Sequence, residues 1–317
     1  MIAIFNPLKR PVEWVRRRNP HGPSSRPRCS LVDCPGRRPL WERLLRRNVG
    51  ALLHGDFYCG PRCLEAALVE EISRLRAMAP QRQPPNRIPL GLLMVARGKL
   101  THIEVRAALE AQRRARYGRI GDWIEKLGFA SEQDVTAALA LQWGCPVATS
   151  FDPSAVISPG NIPLPILEAF QMLPVNYAAA SNTLYLACGA RVEHAALYGI
   201  EKVLECRTQP CVAPPRSIAR QLEAMRQNPH PCDVEFVTRD LAEMARIASS
   251  YAARLSPQEI RLSRLGKFIW LRLKSRPAPT NLLFCLQPQM PEPASPSMPA
   301  APPRSAERLR IEEVSPP

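Results

Sequence analysis

The chain has 317 residues, of which 45% are hydrophobic, and it carries a net charge of +15. This length allows two or three domains with their own cores, and no apolar stretch approaches the roughly 18 to 20 residues that a membrane helix needs. The apolar start at residues 1–5 is too short for a signal-peptide core, so we expect a cytoplasmic protein whose ten cysteines are thiols or metal ligands rather than disulfides.

Prolines and arginines are spread unevenly along the chain. Runs rich in proline cannot bury enough apolar surface to fold alone. Three segments are therefore expected to lack a packed core: a disordered basic arm at 1–27, a linker at 80–87 and a disordered Pro-rich tail at 287–317. Residues 1–87 hold 17 Lys and Arg against 7 Asp and Glu. This excess of positive charge suits binding to nucleic acid, to anionic lipid or to an acidic protein face. The alternative is an arginine-rich arm that is only solvated.

Two cysteine pairs, Cys29 with Cys34 and Cys59 with Cys63, lie in the first quarter of the chain, and the second pair opens a helical pattern. Four thiolates complete a tetrahedral Zn²⁺ site and leave no coordination place for catalysis. The pattern resembles a zinc ribbon or treble clef, which implies a structural zinc in a module at 28–79. Free cysteines or a redox pair are the alternatives, and His54 is either an alternative ligand or a surface histidine.

Residues 88–144 contain one sequence unit written twice with a period of thirty. Pro89-Leu90-Gly91 in the first copy corresponds to Arg119-Ile120-Gly121 in the second. The later apolar residues, the glycine and the glutamine of the first copy also recur about thirty residues further on. Each copy predicts a short helix, a left-handed glycine and a second helix with a capping box. The left-handed glycines are Gly98 and Gly128. The glycines that open the two copies are expected to let a ligand approach the backbone, where free amides suit phosphate.

The repeated motifs resemble the N-terminal domain of MshE-type and type II secretion ATPases, which binds cyclic di-GMP in many members. The second copy matches through Arg119, Ile120, Gly121, Gly128, Val135, Leu139 and Gln142. In the first copy Pro89 stands in the place of the arginine, and Arg87 lies two residues earlier. The resemblance implies a nucleotide-binding set drawn from both copies: Arg87, Leu90, Gly91, Gln112, Arg119, Ile120, Gly121 and Gln142.

The rest of the chain completes an α+β multidomain prediction. Residues 145–228 predict a small α+β part, and with the repeat they form the domain at 88–228 that the resemblance covers. Residues 233–286 predict a small βαββ-like unit. In its last strand Arg272 and Lys274 alternate with leucines, which predicts one solvated basic face. Cys206 and Cys211 are expected to be buried thiols.

Catalytic motifs are missing from the sequence. There is no phosphate-binding G-x-x-x-x-G-K-[ST] loop, and no catalytic triad or paired carboxylate pattern stands out. We therefore expect no enzyme. One hypothesis is a non-catalytic bacterial adaptor that binds cyclic di-GMP or docks a secretion or pilus component. The other is a zinc-containing regulator that binds nucleic acid through its basic amino-terminal segment.

Overall fold

The computed structural model describes residues 28–34, 50–78, 87–148, 161–189, 191–227, 233–238 and 240–286. Within these residues the fold is mixed α/β, with nine α-helices and two β-sheets. The expected arm and Pro-rich tail lie outside them, as does the linker up to residue 86. None of the described helices has the length and apolar character needed to cross a membrane.

The helices are α1 (Pro61–Ala77), α2 (Leu90–Ala96), α3 (His102–Ala115), α4 (Ile120–Lys126), α5 (Glu132–Trp143), α6 (Leu164–Phe170), α7 (His194–Leu204), α8 (Pro215–Gln227) and α9 (Leu241–Leu255). The strands are β1 (Ala51–Leu53), β2 (Asp56–Tyr58), β3 (Met172–Ala178), β4 (Thr183–Cys188), β5 (Arg207–Val212), β6 (Asp233–Val237), β7 (Glu259–Leu265), β8 (Phe268–Lys274) and β9 (Thr280–Cys285).

The two ends of the described chain form one six-stranded sheet, in the order β2-β1-β7-β8-β9-β6. Strand β1 pairs antiparallel with β2 and parallel with β7, where Leu53 lies opposite Ile260. The sequence predicts separate units at 28–79 and 233–286, whereas the structure joins them. A two-stranded hairpin is marginally stable alone, and pairing with β7 supplies the further strands that it needs.

Helices α1 and α9 pack against each other and cover one face of this sheet. The shared core includes Leu68 and Ile72 of α1 and Met244 of α9, with Leu271 and Phe284 from the strands. The Ser249 hydroxyl of α9 donates to the Pro61 carbonyl at the start of α1, at 3.0 Å. Residues almost two hundred positions apart therefore share one hydrophobic core.

The opposite face of the sheet is also buried around Arg272, so the predicted solvated basic face is wrong there, whereas the Lys274 side chain at the strand end is 42% exposed. Trp270 and Leu265 on this face belong to the core of the central unit, and Arg272 is only 4% exposed. The Arg272 guanidinium donates to the Asn161 carbonyl at 3.3 Å. Helix α7 approaches this face closely because Gly199 has no side chain, and a Cβ there would lie 3.0 Å from Leu265.

The central unit is a three-stranded sheet, β3-β4-β5, packed with α6, α7 and α8. Strands β3 and β4 are antiparallel, and β4 and β5 are parallel. These strands and helices follow the predicted order. Cys206 and Cys211 are each 5% exposed, which confirms that they are buried. The end of the repeat adds to this unit, because the Ala148 amide donates to the Val212 carbonyl at 2.8 Å.

Candidate functional site

Four cysteine sulfurs meet where the 28–34 loop lies against the β1-β2 hairpin and the start of α1. The Sγ atoms of Cys29, Cys34, Cys59 and Cys63 all lie within 4.8 Å of one another. The Cys34–Cys59, Cys34–Cys63 and Cys59–Cys63 distances are 3.4, 3.7 and 3.8 Å. Zinc–sulfur bonds of about 2.3 Å in a tetrahedron give sulfur–sulfur edges of roughly 3.8 Å. The three distances lie near this edge length and Cys29 Sγ lies close by, so the four thiols suit a tetrahedral metal ion.

Local structure brings these sulfurs together. The Ser30 amide donates to the Phe57 carbonyl at 2.8 Å and fixes the first pair beside β2. Gly60 is the extended N-cap of α1 and Pro61 opens the helix, so Cys63 lies in its first turn. Amides at a helix start favour a nearby thiolate. His54 is not part of the cluster.

Cys59 and Cys63 hold their protons in the absence of a cation. Burial, followed by the hydrogen bond with Cys34, raises the pKa of Cys59 to about 11. The same causes raise the pKa of Cys63 further. A metal ion binds thiolates, so occupation of this cluster would release protons at neutral pH.

The repeat forms a second candidate site, in which the copies pack crosswise. Helix α2 of the first copy packs on α5 of the second, and α3 of the first packs on α4 of the second. The Gln112 amide donates to the Gly118 carbonyl at 2.9 Å, and Gln142 donates to the Ile88 carbonyl at 2.7 Å. Each glutamine thus holds the residue that precedes the opening motif of the other copy.

The two opening motifs lie next to each other. A Cβ built on Gly121 would lie 3.6 Å from the Leu90 side chain, so the starts of α2 and α4 are in contact. The predicted left-handed glycines have φ of +66° at Gly98 and +71° at Gly128. Both predicted capping boxes form, at Thr101 with Glu104 and at Ser131 with Asp134.

The opening glycines have a different role from the expected one. A Cβ on Gly91 would lie 2.8 Å from Val105 Cγ1, and one on Gly121 would lie 3.0 Å from Val135 Cγ1. The missing side chains let the two helices of each copy approach each other. Close packing on Val105 and Val135 thus accounts for a glycine at both positions.

The remaining predicted nucleotide-binding residues lie in different environments. Leu90 is buried and Ile120 is half-buried in the repeat core. The Arg87 guanidinium stacks on Trp143 at 3.3 Å from the ring centroid, with its Nη1 buried and without a hydrogen bond. Arg119 is exposed at the N-cap of α4, and its amide donates to Asp122 Oδ2 at 2.9 Å. Its guanidinium has no ion pair within the described ranges.

An open cavity of about 370 Å³ lies where α7 meets α1, β1 and β7. Sequence reasoning missed it, because its lining combines the hairpin and α1 with Lys202 and Arg261, which lie far along the chain. Its cations have acidic partners: Lys202 and Arg74 reach Glu71 at 3.3 and 2.9 Å, and Arg261 reaches Glu259 at 2.6 Å. The lining is a charge network that joins the central unit to the large sheet.

Comparison with known proteins gives matches only at the level of structure. No protein-family model matches the sequence, and none of the curated proteins does. A solved structure of MshE with cdg is similar to 44% of this chain over 99% of its own, at 25% identity and a TM-score of 0.34. The N-terminal domain of XpsE is similar to 46% of this chain over 97% of its own, at 18% identity and a TM-score of 0.33.

Proposed function

We propose that this protein is a non-catalytic regulatory or adaptor protein whose paired repeat binds cyclic di-GMP. The observation that carries the proposal is the contact between the two opening motifs, where Leu90 lies against Gly121. The crosswise packing relates the two copies, and a ligand with two identical halves suits two related half-sites side by side. The exposed Arg119 next to this contact can stack on guanine or pair with its O6 and N7.

The proposed half-sites are not equivalent. The first copy has Pro89 where the second has Arg119, and Arg87 is held on Trp143. Arg119 therefore carries most of the proposed recognition of guanine, while Arg87 acts only if it leaves the Trp143 ring. This asymmetry makes Arg119 the residue to test.

The test is calorimetric titration of the full chain with cyclic di-GMP, beside Arg119→Ala and the control Arg246→Ala. The full chain is needed because α7 of the central unit packs on the large sheet. We expect binding by the parent and the control, and affinity at least about fivefold lower for Arg119→Ala, since a bidentate guanine contact contributes roughly 1–3 kcal/mol. No heat from the parent would remove the nucleotide from the proposal.

Docking of a secretion or pilus component is the second candidate function of the repeat. Ile88 and Leu92 at α2 are 62% and 50% exposed, and Leu141 on the adjoining α5 is 47% exposed. A contiguous exposed apolar patch marks a protein-binding surface, and we propose that these three side chains form one. Docking would remain the proposed function if cyclic di-GMP gives no heat.

We also propose that Cys29, Cys34, Cys59 and Cys63 hold a structural zinc ion. The sulfur–sulfur distances support this proposal, and four protein ligands leave no place for a reacting water. The zinc would tie the 28–34 loop to the hairpin and to α1, which belong to the core of the large sheet.

A further inference from the structure

The turn between the two repeat copies carries four arginines in seven residues. We call residues 113–119 the arginine turn; it contains no acidic residue and no lysine. Arg113, Arg114, Arg116 and Arg119 are all exposed. The first two lie in the last turn of α3, where positive charge complements the helix dipole. The other two follow the helix, so the dipole does not account for them.

Acidic side chains neutralise little of this charge. Arg114 lies 3.6 Å from Glu110, and both side chains are more than half exposed. Exposed pairs of this kind contribute little and exchange readily with other partners. For the other three arginines of the turn, the described part of the chain provides no ion pair. The turn therefore presents four positive charges to an incoming partner.

Side-chain hydrogen bonds fix the backbone of the turn. Arg116 adopts a left-handed conformation with φ of 59°, and its amide donates to the Gln112 carbonyl at 2.9 Å. Gln112 Nε2 in turn donates to the Gly118 carbonyl at 2.9 Å. Trp123 Nε1 donates to the Tyr117 carbonyl at 3.0 Å. The arginines extend from an ordered turn, which lowers the conformational entropy that binding would cost.

An aromatic ring lies among these charges. Tyr117 is 63% exposed, and its ring packs on Trp123 with a centroid distance of 5.9 Å. Lys126 lies 5.4 Å from the Tyr117 ring and 4.8 Å from that of Trp123. These neighbours contact the ring, and more than half of the Tyr117 surface stays open to a flat partner such as an unpaired base.

We propose that the arginine turn binds single-stranded nucleic acid, with guanidinium groups on the phosphates and a base stacked on Tyr117. Arginine without lysine suits bidentate contact with phosphate oxygens. A membrane surface fits less well, because Ala115 and Tyr117 are the only apolar residues in the turn. This function is separate from the proposed nucleotide site, which shares only Arg119 with the turn.

The experiment titrates a fluorescently labelled poly(U) strand of twenty nucleotides with the full chain at several salt concentrations. Fluorescence anisotropy gives the affinity at each concentration. Arg113→Gln, Arg114→Gln and Arg116→Gln are combined in one variant, which leaves Arg119 intact. We expect affinity at least about tenfold lower and a salt slope smaller by about 2, from roughly 0.7 per lost phosphate contact. A matched control removes the same charge at Arg16, Arg17 and Arg18, and we expect it to bind more tightly than the first variant.

A second variant tests the stacked base without changing the charge. Tyr117→Leu is expected to lower affinity at least about fivefold, from typical base-stacking contributions, with an unchanged salt slope. Equal losses in the two arginine variants would contradict the proposal, because charge alone would then explain binding. No binding by the parent at low salt would also overturn it, as would complete competition by anionic phospholipid vesicles. None of these results depends on cyclic di-GMP.

Discussion

His54 lies at the β1-β2 turn with a left-handed backbone, at φ of 51°, and its amide donates to the Ile260 carbonyl at 3.0 Å. Burial of the ring, and then the positive charges of Lys202, Arg261 and Arg74, lower the pKa of His54 to about 3. The folded protein therefore holds this imidazole neutral. Because protonation of His54 would place a positive charge where the hairpin, α1 and α7 meet, the stability of this junction depends on pH.

The pKa of His54 predicts acid sensitivity. Its folded pKa is below the unfolded value of about 6.5, so the stabilisation is present above pH 6.5 and is lost as pH falls toward 3. We expect this residue to account for roughly 3 kcal/mol of the stability lost between pH 7 and pH 4. His54→Asn tolerates the left-handed backbone and does not titrate. Urea unfolding at pH 7 and at pH 4 should therefore show a smaller loss in the free energy of unfolding for this variant than for the parent.

His102→Asn provides the matched control, because His102 is exposed on α3. It should lose as much stability between the two pH values as the parent does. Loss of the proposed zinc in acid affects all three proteins alike, so the difference between variants isolates His54. Equal pH dependence in His54→Asn and the parent would contradict the assignment.

At the scale of elements, each repeat copy depends on close approach between its two helices. Gly91 lies under Val105, and Gly121 lies under Val135, so the same contact occurs twice. A capping box begins the second helix of each copy. Gln112 and Gln142, near the ends of these helices, donate hydrogen bonds to the residue that precedes the opening motif of the other copy. The repeat is therefore one unit of four helices, in which neither copy completes its own packing.

Gly91→Ala tests this packing. The new methyl group would lie 2.8 Å from Val105 Cγ1, and overpacking typically costs about 1–3 kcal/mol, which exceeds the gain of up to about 1 kcal/mol in helix propensity. We expect a lower free energy of unfolding, measured by urea with tryptophan fluorescence. Adding Val105→Ala should make the cost of Gly91→Ala smaller than it is in the parent. Leu92→Ala, half exposed on the same helix, is the control and should change stability by less than about 0.5 kcal/mol.

At the scale of the whole molecule, residues from both ends of the described chain build one layer. The hairpin extends the sheet beside β7, and α1 packs on α9. Arg264 on β7 reinforces this layer by donating to the Arg76 carbonyl at the end of α1, at 2.7 Å. The proposed zinc centre lies in this layer, so its effect should extend beyond the cysteine loop.

Metal removal tests this coupling. We expect one zinc ion per chain by elemental analysis, and its loss in Cys34→Ser. Hydrogen exchange should then show weaker amide protection in β7 and α9 as well as in α1, because they share a core. Cys285→Ser, which changes a cysteine outside the cluster, should keep its zinc. Protection lost only in residues 28–34 would show that the centre does not stabilise the shared layer.

Local patterns in the sequence were enough to predict much of the repeat and the central unit. The thirty-residue period, the capping boxes and the two left-handed glycines depend on neighbours within a few positions, and the structure confirms them. The cysteine spacing likewise predicted a cluster. Strands β1, β2 and β9 were missed. The signals that could have found them were the apolar residues 51–53 before His54-Gly55, the aromatic pair Phe57-Tyr58 after it, and the apolar run in residues 282–285.

Tertiary structure alone decided which surfaces are covered. Alternation in β8 predicted a solvated basic face with Arg272 and Lys274, but packing by the central unit buries Arg272 together with Trp270. The sequence predicts ligand contacts at the opening glycines, and the structure adds their close packing on Val105 and Val135. Periodicity and capping arise from short-range sterics that the local sequence encodes. The pairing of β1 with β7 joins segments about two hundred residues apart, and no local pattern specifies that partner.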